Sequence, residues 1–175
     1  MAAMPSNSRI FVGDVGGTHA RFAVVEPSVV GPWRILHRLD LVEPFATFED
    51  ALRSYLQRAG VTLLPPLASI AVAGPVAGGT VRFTNRGWVI SEQALRDAGF
   101  ERALLINDFA ALAFAVDLLD EKDLRAIGPR AKAIHGETIT LIGAGTGFGV
   151  SCLARYGDRT VPMATEGGHM NFAPG

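Results

Sequence analysis

Two short runs rich in Val, Phe and Ile, Arg9 to Val15 and Ala20 to Val25, meet at Gly16-Gly17 near the start of the chain. β-branched and aromatic runs closed by adjacent glycines predict two strands joined by a tight turn. Trp33 to Leu41 then alternates, with Trp33, Ile35, His37 and Leu39 on one face and Arg34, Leu36 and Arg38 on the other, which predicts a third antiparallel strand. Thr47-Phe-Glu-Asp reads as a capping box. Behind it Phe48, Ala51, Leu52, Tyr55, Leu56 and Ala59 recur with helical spacing up to Gly60. Leu67 to Ala73, small and apolar and ended by Gly74-Pro75, predicts a strand buried on both faces and paired beside the first.

Ser91 predicts the cap of a short helix through Ala98 that Gly99 stops, and Arg102 to Ile106 predicts a strand running into Asn107-Asp108. The order is βββαβ followed by αβα. From Phe109 to Leu119 almost every residue is apolar, so a helix there is expected to be buried on most sides. Thr138 to Ile142 and Val150 to Arg155 flank a second glycine-rich turn and echo the first hairpin. The pattern therefore predicts a small N-terminal α/β lobe over residues 1–110 and the beginning of a second, similar lobe over 111–175.

With 175 residues and 49% apolar side chains the chain can bury a core. Sixteen basic and 17 acidic residues give a net charge of -1, which removes the bulk field that nucleic acids or anionic membranes would require. No apolar stretch approaches the ~18 residues of a membrane span. The lone Cys152, read as a small buried hydrophobe, has no internal disulfide partner and fits a reducing, cytoplasmic setting.

Chemistry concentrates in a few segments. Gly13-Asp14-Val15-Gly16-Gly17-Thr18 puts two glycines where backbone N–H groups can approach an anion, beside a hydroxyl and a carboxylate able to hold Mg2+ through water. The same residues would also serve a plain Gly-Gly hairpin with Asp14 as a turn residue. No Gly-Lys-Ser/Thr occurs and no Gly-x-Gly-x-x-Gly follows the first strand, which disfavours P-loop and Rossmann sites. Gly143-Ala-Gly145-Thr146-Gly147-Phe-Gly149 is a second phosphate-type loop; a tight hairpin is its plainer reading. Asp108 can be the cap of the apolar helix, a base for a substrate hydroxyl, or both. Glu166-Gly-Gly-His169 and Thr84-Asn85, the latter ahead of Trp88, offer polar groups for a sugar, although ordinary surface and turn roles are the commoner ones. His19, His37, His135 and Arg21 read as structural.

Taken in order, Gly13-Asp-Val-Gly-Gly-Thr-His-Ala-Arg21, Ile106-Asn-Asp-Phe-Ala-Ala111, Gly143-Ala-Gly-Thr-Gly-Phe-Gly149 and Glu166-Gly-Gly-His-Met-Asn-Phe-Ala-Pro174 resemble the bacterial glucokinase family of the hexokinase and actin-like ATPase superfamily. The resemblance runs from Ile10 onward. It implies an actin-like ATPase (RNase H-like) small lobe with a mixed sheet plus the start of a second lobe, in a chain matching the front half of such an enzyme. It implies ATP-dependent phosphorylation of D-glucose with Mg2+, and a homodimer at full length. Gly13, Asp14, Val15, Gly16, Gly17, Thr18, Gly145, Thr146 and Gly147 would hold the nucleotide. Asp108 would be the base, and Asn107, Asp108, Glu166 and His169, with Asn85, the glucose contacts. Position 19 is His where the family often has Asn, so no ligand role is carried to it. Rivals within the sequence reading are a kinase of another hexose or of polyphosphate, a sugar-sensing regulator, and a noncatalytic sugar-binding fragment.

Overall fold

A computed structural model describes residues 9–28, 33–83, 87–128, 136–144, 148–157, 159–165 and 167. The chain divides into two compact units, Met1–Asn107 and Asp108–Gly175.

In the first unit β1 (Ile10–Val15), β2 (Ala20–Glu26) and β3 (Arg34–Leu41) form an antiparallel meander, followed by α1 (Phe48–Arg58) and β4 (Leu67–Val72). A hairpin of β5 (Thr80–Arg82) and β6 (Val89–Ser91) leads into α2 (Glu92–Asp97) and β7 (Arg102–Asn107). β4 runs parallel to both β1 and β7, giving a mixed five-stranded sheet in the order β3-β2-β1-β4-β7. The hairpin β5–β6 is absent from the expected order, because strands of three residues are too short to display an alternating pattern.

Helix α1 forms where the spacing places it. The Thr47 hydroxyl oxygen accepts the Asp50 backbone N–H at 3.1 Å and the hydroxyl donates to the Asp50 carboxylate at 2.8 Å, a tighter local variant of the expected box. Gly60, at φ +64, ends it: Gly60 N–H reaches Gln57 O and Val61 N–H reaches Leu56 O, a Schellman turn that only glycine enters without strain. Ser91 caps α2 in the same way through Ala94 N–H, and Gly99 follows it with positive φ.

Two strands differ from expectation. The register of β2 with β3 skips a residue between Val24 and Val25, leaving Leu36 as the extra residue of a bulge. The bulge flips the face upstream of it, so Leu36 joins Leu39 against the core while Ile35 is 59% exposed. β4 buries one face only: Ala68, Ile70 and Val72 point into the core, whereas Leu67, Ser69 and Ala71 are partly exposed. Both helices of this unit contribute to the core on a single face of the sheet, and that asymmetry sets the alternation.

The core is aromatic. Phe11 lies 5.3 Å from Phe22, 5.5 Å from Tyr55 and 5.3 Å from Phe100 between ring centroids, and Phe22 meets Phe48 edge-on at 5.8 Å. Strands β1 and β2 thus share one aromatic cluster with α1, each ring removing on the order of 150–250 Å² from water. Trp88 extends the cluster to Phe48 and donates its indole N–H to Phe45 O at 3.0 Å, as a buried core residue.

The second unit holds α3 (Asp108–Ala115), a 3-10 turn at Val116–Leu118, and β8 (Ile139–Ala144), β9 (Phe148–Tyr156) and β10 (Arg159–Thr165) in the antiparallel order β10-β9-β8. That meander repeats the arrangement of β1 to β3. Helix α3 is shorter and less buried than expected: Ala110 and Ala113 are buried, but Leu112 and Phe114 are about half exposed. The helix packs against β9 and β10, with Ala110 and Ala113 buried in it and Phe109 lying against β9. Cys152 is likewise only partly buried, on the face of β9 opposite Ser151.

Tyr55 provides a test of the core. Its ring is fully buried, its hydroxyl donates to His37 O at 3.1 Å, and burial pushes its pKa up from 10.0 to about 12. The folded state therefore holds the proton more tightly than the unfolded one. The resulting stability is complete below the unfolded pKa and is lost as pH rises toward the folded value. Tyr55→Phe should cost about 1 kcal/mol at neutral pH. It should also flatten the fall in stability over this alkaline range, both read by urea unfolding across a pH series.

Candidate active site

The sheet register places the candidate residues of the first unit. Val15 of β1 lies opposite Val72 of β4, and Val72 lies opposite Asn107 of β7. One row across three parallel strands therefore carries the end of the first glycine segment, the end of β4 and Asn107. Adjacent strands are about 4.8 Å apart, so Val15 and Asn107 stand roughly 10 Å from each other. Two hydrogen bonds tie the loops above this row. Ala73 N–H donates to Val15 O at 2.9 Å, and Asn107 Nδ2 donates to Gly74 O at 3.3 Å.

Within Gly13 to Thr18 the two outer features have different origins. Gly13 sits inside β1 opposite Phe22, and a Cβ there would come within 3.1 Å of both Ile70 Cγ2 and Phe22 Cδ1. Packing accounts for it. The turn itself is a four-residue loop, Gly16 to His19, closed by Gly16 N–H to His19 O at 2.9 Å, between strand ends that fall at Val15 and Ala20 as expected. Neither Gly16 nor Gly17 has positive φ, so the left-handed backbone conformation that favours Gly-Gly in tight hairpins is not used. A Cβ on Gly16 would find its nearest neighbour 3.8 Å away. The fold itself places no demand for glycine at position 16. Thr18 Oγ1 lies 2.8 Å from His19 Nδ1.

Asp14 points from the opposite face of β1 and is about half exposed. Arg21, its cross-strand partner, donates Nη1 to Asp14 Oδ2 at 2.8 Å and places Nε 3.6 Å from Asp40, which Arg38 also approaches. The hydrogen bond and charge of Asp14 hold the Arg21 guanidinium above its ordinary pKa. Arg21, read from the sequence as structural, is held in this cross-strand ion pair, which that reading did not specify. The signal was present, since Val15 opposite Ala20 makes Asp14 face Arg21. Among the described residues no three His, Cys, Asp or Glu side chains gather into a metal cage. Asp14 alone beside the glycine turn is the kind of donor set Mg2+ takes, since that ion keeps most of its waters and uses one or two carboxylates.

In the second unit Asp108 opens α3, and Phe109 N–H donates to its Oδ1 at 2.9 Å. The carboxylate thus sits at the positive end of the helix, where the ionised form is favoured. β8 and β9 bring Gly143 and Gly149 into register as partners at the base of the second loop. Phe109 covers both. A Cβ on Gly143 would lie 2.6 Å from Phe109 Cζ, and one on Gly149 would overlap the Phe109 ring. Two of the four alternating glycines therefore answer to packing. Asn85 with Thr84, His135, Gly145, Thr146, Gly147, Glu166 and His169 lie outside the described residues. Among those described, no helix is long and apolar enough to cross a membrane.

A mixed sheet of this order with a glycine-bearing turn after its first strand, followed by a second unit that repeats the opening meander, defines an actin-like ATPase α/β fold. The chain belongs to the glucokinase family, whose model, described as "Glucokinase", matches residues 11–175. It is 48% identical over 164 residues to a glucokinase of Caulobacter vibrioides strain NA1000 / CB15N, covering 93% of this chain and 49% of that one. Among solved structures, a glucokinase from an Antarctic psychrotroph superposes with a TM-score of 0.81 at 34% identity, covering 95% of this chain and 52% of the other. A ROK family glucokinase from Streptomyces griseus, in complex with glucose and AMPPNP, shares the fold at a TM-score of 0.59 and 20% identity, over 95% of this chain and 51% of its own. The chain spans about half the length of the curated relatives it matches.

The two glycines of the first turn should respond differently to side chains. Gly13→Val forces Phe22 and Ile70 apart and should cost about 1–3 kcal/mol. Gly16→Ala should change stability by no more than about 1 kcal/mol, of either sign. Urea unfolding of the two variants beside the parent chain checks both.

Proposed function

We propose that the full-length protein transfers the γ-phosphoryl group of ATP to the 6-hydroxyl of D-glucose, giving glucose 6-phosphate and ADP at the entry to glycolysis. The observation that carries the reading is the row Val15–Val72–Asn107, which brings a glycine turn with no packing reason for its Gly16 to the same sheet end as the residue preceding Asp108. Family membership supplies the reaction class. The complex of the Streptomyces griseus relative with glucose and AMPPNP supports the pairing of sugar and nucleotide.

In this reading the backbone N–H groups of the Gly13 to Thr18 segment, with Gly145, Thr146 and Gly147, cradle the nucleotide phosphates. Asp14, steadied by Arg21, would hold Mg2+ through water. The ion would neutralise charge on the phosphates when bound. Asn107 and Asp108, with Glu166, His169 and Asn85, would hold the sugar hydroxyls. Asp108 accepts the proton of the 6-hydroxyl as that oxygen attacks the γ-phosphorus and the bond to the ADP oxygen breaks. Its place in the first turn of α3 sets it where the helix dipole favours negative charge. A cytoplasmic setting agrees with a single cysteine and with the supply of ATP.

In the full-length enzyme Asp108→Ala should lower kcat by about 100-fold or more while glucose affinity, read by calorimetry, falls by less than about tenfold. Near-normal turnover would remove Asp108 as the base. A screen of hexoses and phosphodonors on the same enzyme, in which another sugar or polyphosphate outperformed glucose and ATP, would replace the substrate assignment and keep the site.

A further inference from the structure

We infer that Phe109 is a positioning residue that fixes the Asp108 carboxylate to the base of the second glycine loop, and that Gly143, Gly149 and Ser151 exist in their present form to hold it. The inference rests on the kinase reading above and deepens it. Three parts of Phe109 are engaged at once. Its backbone N–H donates to Asp108 Oδ1 at 2.9 Å. Its carbonyl oxygen accepts the hydroxyl of Ser151 at 2.8 Å, and Ser151 is the fully buried polar residue among those described. Its ring lies over the Gly143–Gly149 pair, where a Cβ on either residue would collide with it.

Backbone geometry gives no other reason for these glycines, since neither has positive φ. Alternation along β9 puts Gly149, Ser151 and Leu153 on one face, the face on which α3 packs. Glycine leaves room for the ring, serine reaches the carbonyl, and leucine fills the remaining core. The strands that lead into and out of Gly145 to Gly147 are therefore the same strands that grip the residue orienting Asp108. A shift of the loop base moves the phosphate-binding segment and the base together, which keeps the proton acceptor in step with the phosphoryl group.

The test uses the full-length enzyme and a size-compensating pair. Gly149→Ala should push the ring off the strands and lower kcat by about 100-fold with KM for glucose changed less than about threefold, because the sugar contacts other than Asp108 remain. Adding Phe109→Leu to that variant should recover at least about tenfold of the lost kcat, because a smaller side chain fits over the added methyl. Ser151→Ala, which leaves the packing intact, should lower kcat about tenfold, again with little change in KM. A Gly149→Ala loss that Phe109→Leu leaves unrescued, in an enzyme whose circular dichroism shows it folded, would mean that glycine serves the loop itself and would overturn the proposal. If Gly149→Ala does not fold, Ser151→Ala decides, and wild-type kcat in that variant overturns it equally. A wild type that fails to phosphorylate glucose sinks the kinase reading instead, so the two failures are told apart.

Discussion

The parallel register of β1, β4 and β7 is the constraint on which the first unit depends. Parallel strands cannot be joined by tight turns, so the chain must leave β1, complete a meander and a helix, and return before β4 can lie beside it. The return is held by the aromatic cluster, in which Phe11 of β1 and Phe22 of β2 contact Tyr55 of α1 and so fix the helix over the first two strands. Once β4 and β7 are in register, the carboxyl ends of three strands emerge along one edge. Ligands in α/β sheets collect at such edges because loops there converge without the strands themselves being disturbed.

The second unit starts on the same plan and solves a different packing problem. Three antiparallel strands with one helix offer little apolar surface, and the helix buries Ala110 and Ala113 while Leu112 and Phe114 stay about half exposed. Close approach follows from that choice. Small residues on α3 let the helix settle near the strands, and Phe109 at its first turn then needs glycines beneath it. The serine hydroxyl buried in this contact is satisfied by the Phe109 carbonyl, which avoids the cost of about 1–3 kcal/mol that an unpaired buried hydroxyl would impose.

Most elements were legible because their signals are local. Thr47, Ser91, Gly60 and Gly99 mark helix ends through their own backbone and side-chain chemistry, and each does so in the structure. The strands that escaped are those whose signal is weak or masked. Pro162 argues against a strand through Arg159–Thr165, yet β10 is an edge strand, where a missing N–H is tolerated. The bulge at Leu36 is invisible to simple alternation, because parity is set by a pairing partner and not by the strand itself. The partner of Arg21, read as structural, likewise follows from the pairing of β1 with β2 and not from the residue alone.

The glycine motifs show why the candidate site was only partly readable. A glycine in a sequence can answer to a backbone angle, to a neighbour's bulk, or to a ligand, and the letters do not distinguish these. Gly13, Gly143 and Gly149 answer to aromatic neighbours, and Gly60 to a helix stop. Gly16 answers to none of them: its φ is ordinary and the space where its Cβ would stand is open. Among the described residues Gly16, at the turn above the Val15–Val72–Asn107 row, is therefore a glycine that neither backbone angle nor a neighbour's bulk requires, and close approach of another molecule to the backbone is the physical reason left for it.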